Sequence, residues 1–196
     1  PNTGGKTVLL KTVGLLCGMV KYGLLIPADS DSNVMIYDQI FCDIGDDQSI
    51  ESNLSTFSSH MQNITKIIDS VTPNSLVLFD EIGSGTDPIE GSNLAKSILK
   101  YLIDHNVSFI TTTHYSQLKA FAFDEPKIVN ASMEFDQNTL SPTYHLLLGV
   151  SGSSNAFNIA KKLRLKEEII KNAKKITITS DDDIRKLIFK LEKQSK

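Results

Sequence analysis

Two groups of residues have the types and spacing to act on a phosphorylated ligand. The chain opens Pro1-Asn2-Thr3-Gly4-Gly5-Lys6-Thr7, and Gly5-Lys6-Thr7 fits the end of the phosphate-loop pattern G-x-x-x-x-G-K-[ST]. In that pattern successive backbone N–H groups wrap phosphate oxygens, a Lys neutralises their charge and a hydroxyl reaches a metal ion. Lys6 is therefore read as the ligand of the β- and γ-phosphates and Thr7 as a ligand of Mg²⁺. Asn2, Thr3, Gly4 and Gly5 form the rest of the wrap at a helix N-terminus, whose dipole favours anions. The first Gly of the pattern falls one position ahead of Pro1, so the loop is read as cut short and the strand feeding it as truncated. The plain alternative is a glycine pair before a helix, with Lys6 solvated.

The second group ends two apolar runs. Leu76-Val77-Leu78-Phe79 leads into Asp80-Glu81, delivering two adjacent carboxylates that point differently once the strand stops. Asp80 is assigned to Mg²⁺, through a water of its shell, and Glu81 to orienting and polarising an attacking water, because phosphoryl transfer is mostly positioning and charge stabilisation. Solvated acids at a strand end are the bland reading. His114 closes the run Val107 to Thr113. In a parallel sheet it shares the crevice at the carboxyl ends of the strands, where it is a candidate γ-phosphate sensor. His60, His105 and His145 have no such context and are read as structural or solvated.

These residues need an α/β framework. Val8 to Val20 reads as a largely buried helix closed by Gly23, and residues 34–44 as strand followed by the turn Gly45-Asp46-Asp47. A helix starting at Asn53 or Ser55 aligns Phe57, Met61, Ile64, Ile67, Ile68 and Val71 on one face and ends before Pro73. Residues 75–79 and 107–113 are continuous apolar runs of the kind buried on both faces of a parallel sheet, with a helix from about Glu90 to His105 between them. A short helix around Leu118 to Phe121 follows. Then come an antiparallel pair over 128–135 and 143–148 and helices over 155–163 and 166–175. Asp181 to Asp183 is predicted to cap a last helix with Ile184, Leu187, Ile188 and Leu191 in register.

Composition bounds what this framework can be. The chain has 196 residues, 40% hydrophobic and 22% charged, enough for one α/β domain. No stretch has the apolar length of a membrane span. A net charge of -3 gives no general attraction to nucleic acid. Cys17 and Cys42 lack metal-ligand spacing and are read as lying in apolar surroundings. With no secretory segment, a reducing, cytoplasmic setting is expected.

Four segments stand in one order: the loop, Leu54-Ser55-Thr56-Phe57-Ser58-Ser59-His60-Met61, the acidic strand with Gly83-Ser84-Gly85-Thr86, and Thr112-Thr113-His114-Tyr115. In that order the chain resembles the ATPase domain of the MutS family of DNA-binding clamps, from the loop to about Leu165. Asn2-Thr3-Gly4-Gly5-Lys6-Thr7, Asp87-Pro88-Ile89-Glu90-Gly91 and Gly149 to Phe157 are similar to the second bacterial branch, MutS-II. The resemblance implies an ABC-type P-loop NTPase with a mainly parallel central sheet flanked by helices, over residues 1–179, with 180–196 starting a C-terminal linker helix. It implies ATP and Mg²⁺ as cofactors and a homodimer with composite sites, in which Ser55 reaches the partner's γ-phosphate in trans. Residues 83–87 would then run along the dimer interface, while Gln39 stands where related ATPases place a metal-sensing glutamine. For the MutS-II branch it implies recombination suppression or ribosome rescue, with DNA or a ribosome bound through other domains and any nuclease site elsewhere. The alternatives are a mismatch-repair MutS ATPase domain, a P-loop kinase, and a nucleotide-binding dimerisation module without turnover.

Overall fold

The computed structural model describes residues 4–45, 53–136, 139, 141–150 and 156–176, with backbone only for 53–56. They form two compact units. The first contains a three-stranded parallel sheet in the order β1 (Gln39–Asp43), β2 (Ser75–Phe79), β3 (Ser108–Thr111). It also holds α1 (Lys6–Lys21), α2 (Asn53–Ser70), α3 (Pro88–Asp104), α4 (Ser116–Asp124) and a two-stranded sheet of β4 (Ala131–Asp136) and β5 (Ser141–Leu148). The second unit carries α5 (Ala156–Lys162) and a helix over 167–176, where Lys174 Nζ lies 5.7 Å from the centroid of the Phe157 ring. The predicted helix with Ile184 and Leu191 lies outside the described residues.

β2 is central, and its five residues are all buried, as the apolar run Leu76 to Phe79 requires, with the Ser75 hydroxyl accepting from Thr72 N–H. Alternate side chains serve opposite faces. Val77 and Phe79 join a core with Ile64 and Ile67 of α2, Leu99 and Leu102 of α3 and Leu118 of α4. Leu76 and Leu78 pack with Leu10 and Cys17 of α1. The sheet is thus sandwiched between α1 and the other three helices, and each fully buried Val, Leu or Phe contributes about 1.5–3 kcal/mol.

Four expectations change. The strand read over 34–44 begins only at Gln39. β3 is four residues long and half-buried throughout, unlike β2, because among the described residues no strand pairs with its far edge. That edge faces a groove of about 640 Å³ whose walls include Leu9, Val13, Phe109, Ile128, Met133 and Leu146. Helix α1 is not largely buried: Leu10 and Cys17 are, whereas Val8 and Leu15 are 51% and 66% exposed. A helix apolar on two faces does not reveal by periodicity which one the sheet covers. Its C-terminal stop is as read, with Gly23 at φ +71° and its N–H donating to Val20 C=O. Cys42 is exposed on β1, in contrast to buried Cys17.

Candidate nucleotide site at the carboxyl ends of the strands

Helix α1 starts without a side-chain cap. Gly5 is its N-cap, with φ +77° in the left-handed region, which glycine enters at little steric cost. The first N–H groups of a helix have no acceptor within it, so the turn that begins at Lys6 and Thr7 presents donors and the positive end of a dipole together. A side chain at Gly5 would meet Cδ1 of Tyr144 at 3.1 Å. The aromatic ring of β5 therefore sits beside the loop, a neighbour that nothing in the sequence pattern pointed to.

The register of β1, β2 and β3 brings their carboxyl ends level, with Asp43 beside Phe79 and Phe79 beside Thr111. The ladder continues one step further: Asp80 N–H donates to Asp43 C=O and Thr112 N–H to Phe79 C=O, both at 2.9 Å. At this rim Thr7 Oγ1 donates to Asp80 Oδ2 at 2.5 Å. Thr112 Oγ1 donates to Asp80 Oδ1, also at 2.5 Å, and accepts from Glu81 N–H at 2.8 Å. Glu81 has φ +50°, a left-handed conformation that costs a non-glycine residue about 1–2 kcal/mol. His114 follows β3 as an exposed residue, its ring 4.4 Å from that of Tyr115, centroid to centroid.

The loop after the acidic pair is tied to α3. Asp87 caps α3 by accepting from the N–H groups of Ile89 and Glu90, and Pro88 occupies the first turn, where its missing N–H costs nothing. The buried Tyr115 hydroxyl donates to Gly83 C=O at 2.9 Å. Burial, followed by the charges of Asp87 and Glu81, pushes the Tyr115 phenol above its usual range, so it stays a donor at neutral pH. A Cβ at Gly83 would stand 2.4 Å from Gly91 C=O oxygen, which explains two glycines that the sequence showed only as loop and helix residues. On its other side the loop meets α2, since a Cβ at Gly85 would contact Phe57 Cβ at 3.4 Å.

Of the residues singled out by sequence, Gly5, Lys6, Thr7, Asp80 and Glu81 stand at this rim, with His114 just past the end of β3. Asn2 and Thr3 lie outside the described residues, and so does the side chain of Ser55, whose backbone is in the first turn of α2. Gln39 is misplaced for a metal sensor: it pairs with Ser75 at the opposite end of β1 from Asp43, about 13 Å from the rim at the rise of an extended strand. One residue at the rim, Thr112, was not read from sequence as part of it. His60 lies beside β1 instead: its Nδ1 is 2.8 Å from Asp43 Oδ2, while Asn63 Nδ2 donates to Asp43 Oδ1 at 2.9 Å. His105 stacks on Tyr101, and the exposed His145 pairs with Glu134, both within the reading of structural or solvated histidines.

Comparison with known proteins fits this arrangement. The family model for MutS domain V matches residues 1–180. The chain belongs to the MutS domain V family. Among its curated relatives, the endonuclease MutS2 of Finegoldia magna is 55% identical over 196 residues, 100% of this chain and 25% of that protein. The endonuclease MutS2 of Brevibacillus brevis is 54% identical over the same share of each chain. That of Lactobacillus acidophilus is 54% identical over 188 residues, 96% of this chain and 24% of its own. These MutS2 relatives agree with the branch expected from the loop and from Asp87 to Gly91. The chain spans about a quarter of their length. No described helix is long and apolar enough to cross a membrane.

Proposed function

We propose that this domain binds and hydrolyses ATP with Mg²⁺ as an ABC-type P-loop NTPase over residues 1–179. The observation that carries the reading is the contact between Thr7 and Asp80, two residues 73 positions apart that meet at one rim beside the start of α1. A hydroxyl and a carboxylate converging there are the hard oxygen ligands that suit Mg²⁺, which keeps several waters and takes others from phosphate. Bound there, the ion would neutralise charge on the phosphates and leaving group. The chain's own groups do the rest. Gly4 and Gly5 leave the backbone of the loop open to the phosphates, with Asn2 and Thr3 completing the wrap. Lys6 counters the phosphate charge, Glu81 orients the attacking water, and His114 stabilises charge developing on the γ-phosphate. The Tyr144 ring lies beside the loop. The reading includes a strand ahead of the loop lying on β3, supported by the open β3 edge, the apolar groove and Lys6 on its wall.

A second copy completes each site in this reading, with Ser55 presented in trans from the first turn of α2. Contact of Phe57 with the loop at Gly85 supports that placement, because it links the in-trans helix to the segment after Glu81. Opening and closing of this homodimer would clamp and release DNA or a ribosome held by other parts of a cytoplasmic protein, in recombination suppression or ribosome rescue. Release of inorganic phosphate without an acceptor substrate tests hydrolysis against a kinase. Glu81→Gln is expected to slow release by about 10²–10⁴-fold while sparing ATP binding. Unchanged turnover would remove Glu81 from its role, and its absence in the unaltered protein would leave only nucleotide binding and dimerisation.

A further inference from the structure

Thr112 contacts four successive residues of the acidic turn. Its N–H donates to Phe79 C=O at 2.9 Å, and its C=O accepts from Ile82 N–H at 3.3 Å. Its hydroxyl lies between these two bonds, accepting from Glu81 N–H and donating to Asp80 Oδ1. A threonine hydroxyl has one proton to give. The Glu81 N–H can only donate, so the hydroxyl proton is committed to Asp80 Oδ1, and Asp80 Oδ2 is left turned to Thr7. The same hydroxyl holds the backbone of Glu81 in a left-handed conformation that a non-glycine residue leaves unless it is fixed. Thr112 is 7% exposed, so water does not easily replace either bond.

We propose that Thr112 is a positioning residue whose hydroxyl orients Asp80 and Glu81 together, so that metal holding and water activation depend on one group acting through those two residues. The neighbouring Thr111 and Thr113 do not share this role: among the described residues Thr113 Oγ1 accepts from Tyr115 N–H and Thr111 Oγ1 donates to Thr112 C=O. The proposal rests on the ATPase reading.

The test uses the intact gene product and the variants Thr112→Val, which keeps the shape and removes the hydroxyl, Thr112→Ser, which keeps the hydroxyl, and Thr111→Val as a control. Thr112→Val is expected to lower kcat by about 10–100-fold and to raise the Mg²⁺ concentration needed for half-maximal turnover, the scale at which partners of metal ligands act. ATP binding measured in EDTA, and KM for ATP, should stay near wild type, and Thr112→Ser and Thr111→Val should keep wild-type kcat. If Thr112→Val does not fold, Thr112→Ala against Thr112→Ser decides by the same criterion. Wild-type kcat and Mg²⁺ dependence in Thr112→Val, or a Thr112→Ser variant as impaired as it, would overturn the proposal while the ATPase reading stood. A wild-type protein that releases no phosphate would overturn both.

Discussion

Asp43 is a buried carboxylate that faces a helix rather than the nucleotide rim its backbone helps to build. His60 and Asn63 satisfy its two oxygens, and a buried acceptor left without its donor costs the desolvation of that group. His60→Ala and Asn63→Ala should therefore each lower unfolding free energy by about 1–3 kcal/mol in urea titrations. By contrast, His145→Ala, which removes a pair whose side chains are 78% and 45% exposed, should change it by less than about 0.5 kcal/mol. Equal effects at the two histidines would contradict this assignment. The difference was not legible in the sequence, because His60 acquires its partner only when α2 packs beside β1. Thr112 was hidden for a related reason. In a run of three threonines each is an ordinary strand former, and only the register with β2 decides which hydroxyl meets the acidic turn. Lys6, Thr7 and Asp80 could be read because a local motif stands at each of them.

At the level of elements, the sequence was most informative where one pattern had one physical solution. The apolar run of β2 proved buried on both faces, whereas α3, read as starting at about Glu90, begins at Pro88 because Asp87 caps it and the proline fits the first turn. It was least informative where two solutions share a pattern, as in the two apolar faces of α1 and the length of β3. Glycines show the same divide. Gly23 and Gly83 both have positive φ, but a Cβ at Gly23 meets nothing within 4 Å whereas one at Gly83 runs into the Gly91 carbonyl. Gly23→Ala should cost about 1 kcal/mol, the strain alone. Gly83→Ala should cost about 3 kcal/mol or more, since helix α3 must also retreat. Thermal unfolding of the two variants measures the gap, and a Gly83 variant no less stable than the Gly23 variant would show that the loop does not lie against α3. Tyr115→Phe, which removes the hydroxyl on Gly83 C=O, should cost about 1 kcal/mol.

For the whole molecule, the half-buried edge of β3 and the exposed face of α1 are the largest departures from a sheet closed on all sides. An unpaired strand edge is a template for pairing with another chain. Residues 1–196 produced alone are expected to be poorly stable, to bind ATP weakly and to self-associate, so that light scattering rises with protein concentration during heating. A concentration-independent, reversible transition with tight ATP binding would refute that expectation. The identity of the family was legible across most of the chain because its segments occur in a fixed order.

That edge also divides the sheet by solvent access. The amides of β2 are shut in by β1, β3 and two helical layers, so their deuterium uptake can proceed only through global unfolding. In β3 the amides that point into the groove need no unfolding at all, and they should label within seconds beside neighbours that take hours. Any segment that seats itself along β3 would therefore write its own footprint, slowing uptake at every second residue from Ser108 to Thr111 and leaving β2 unchanged.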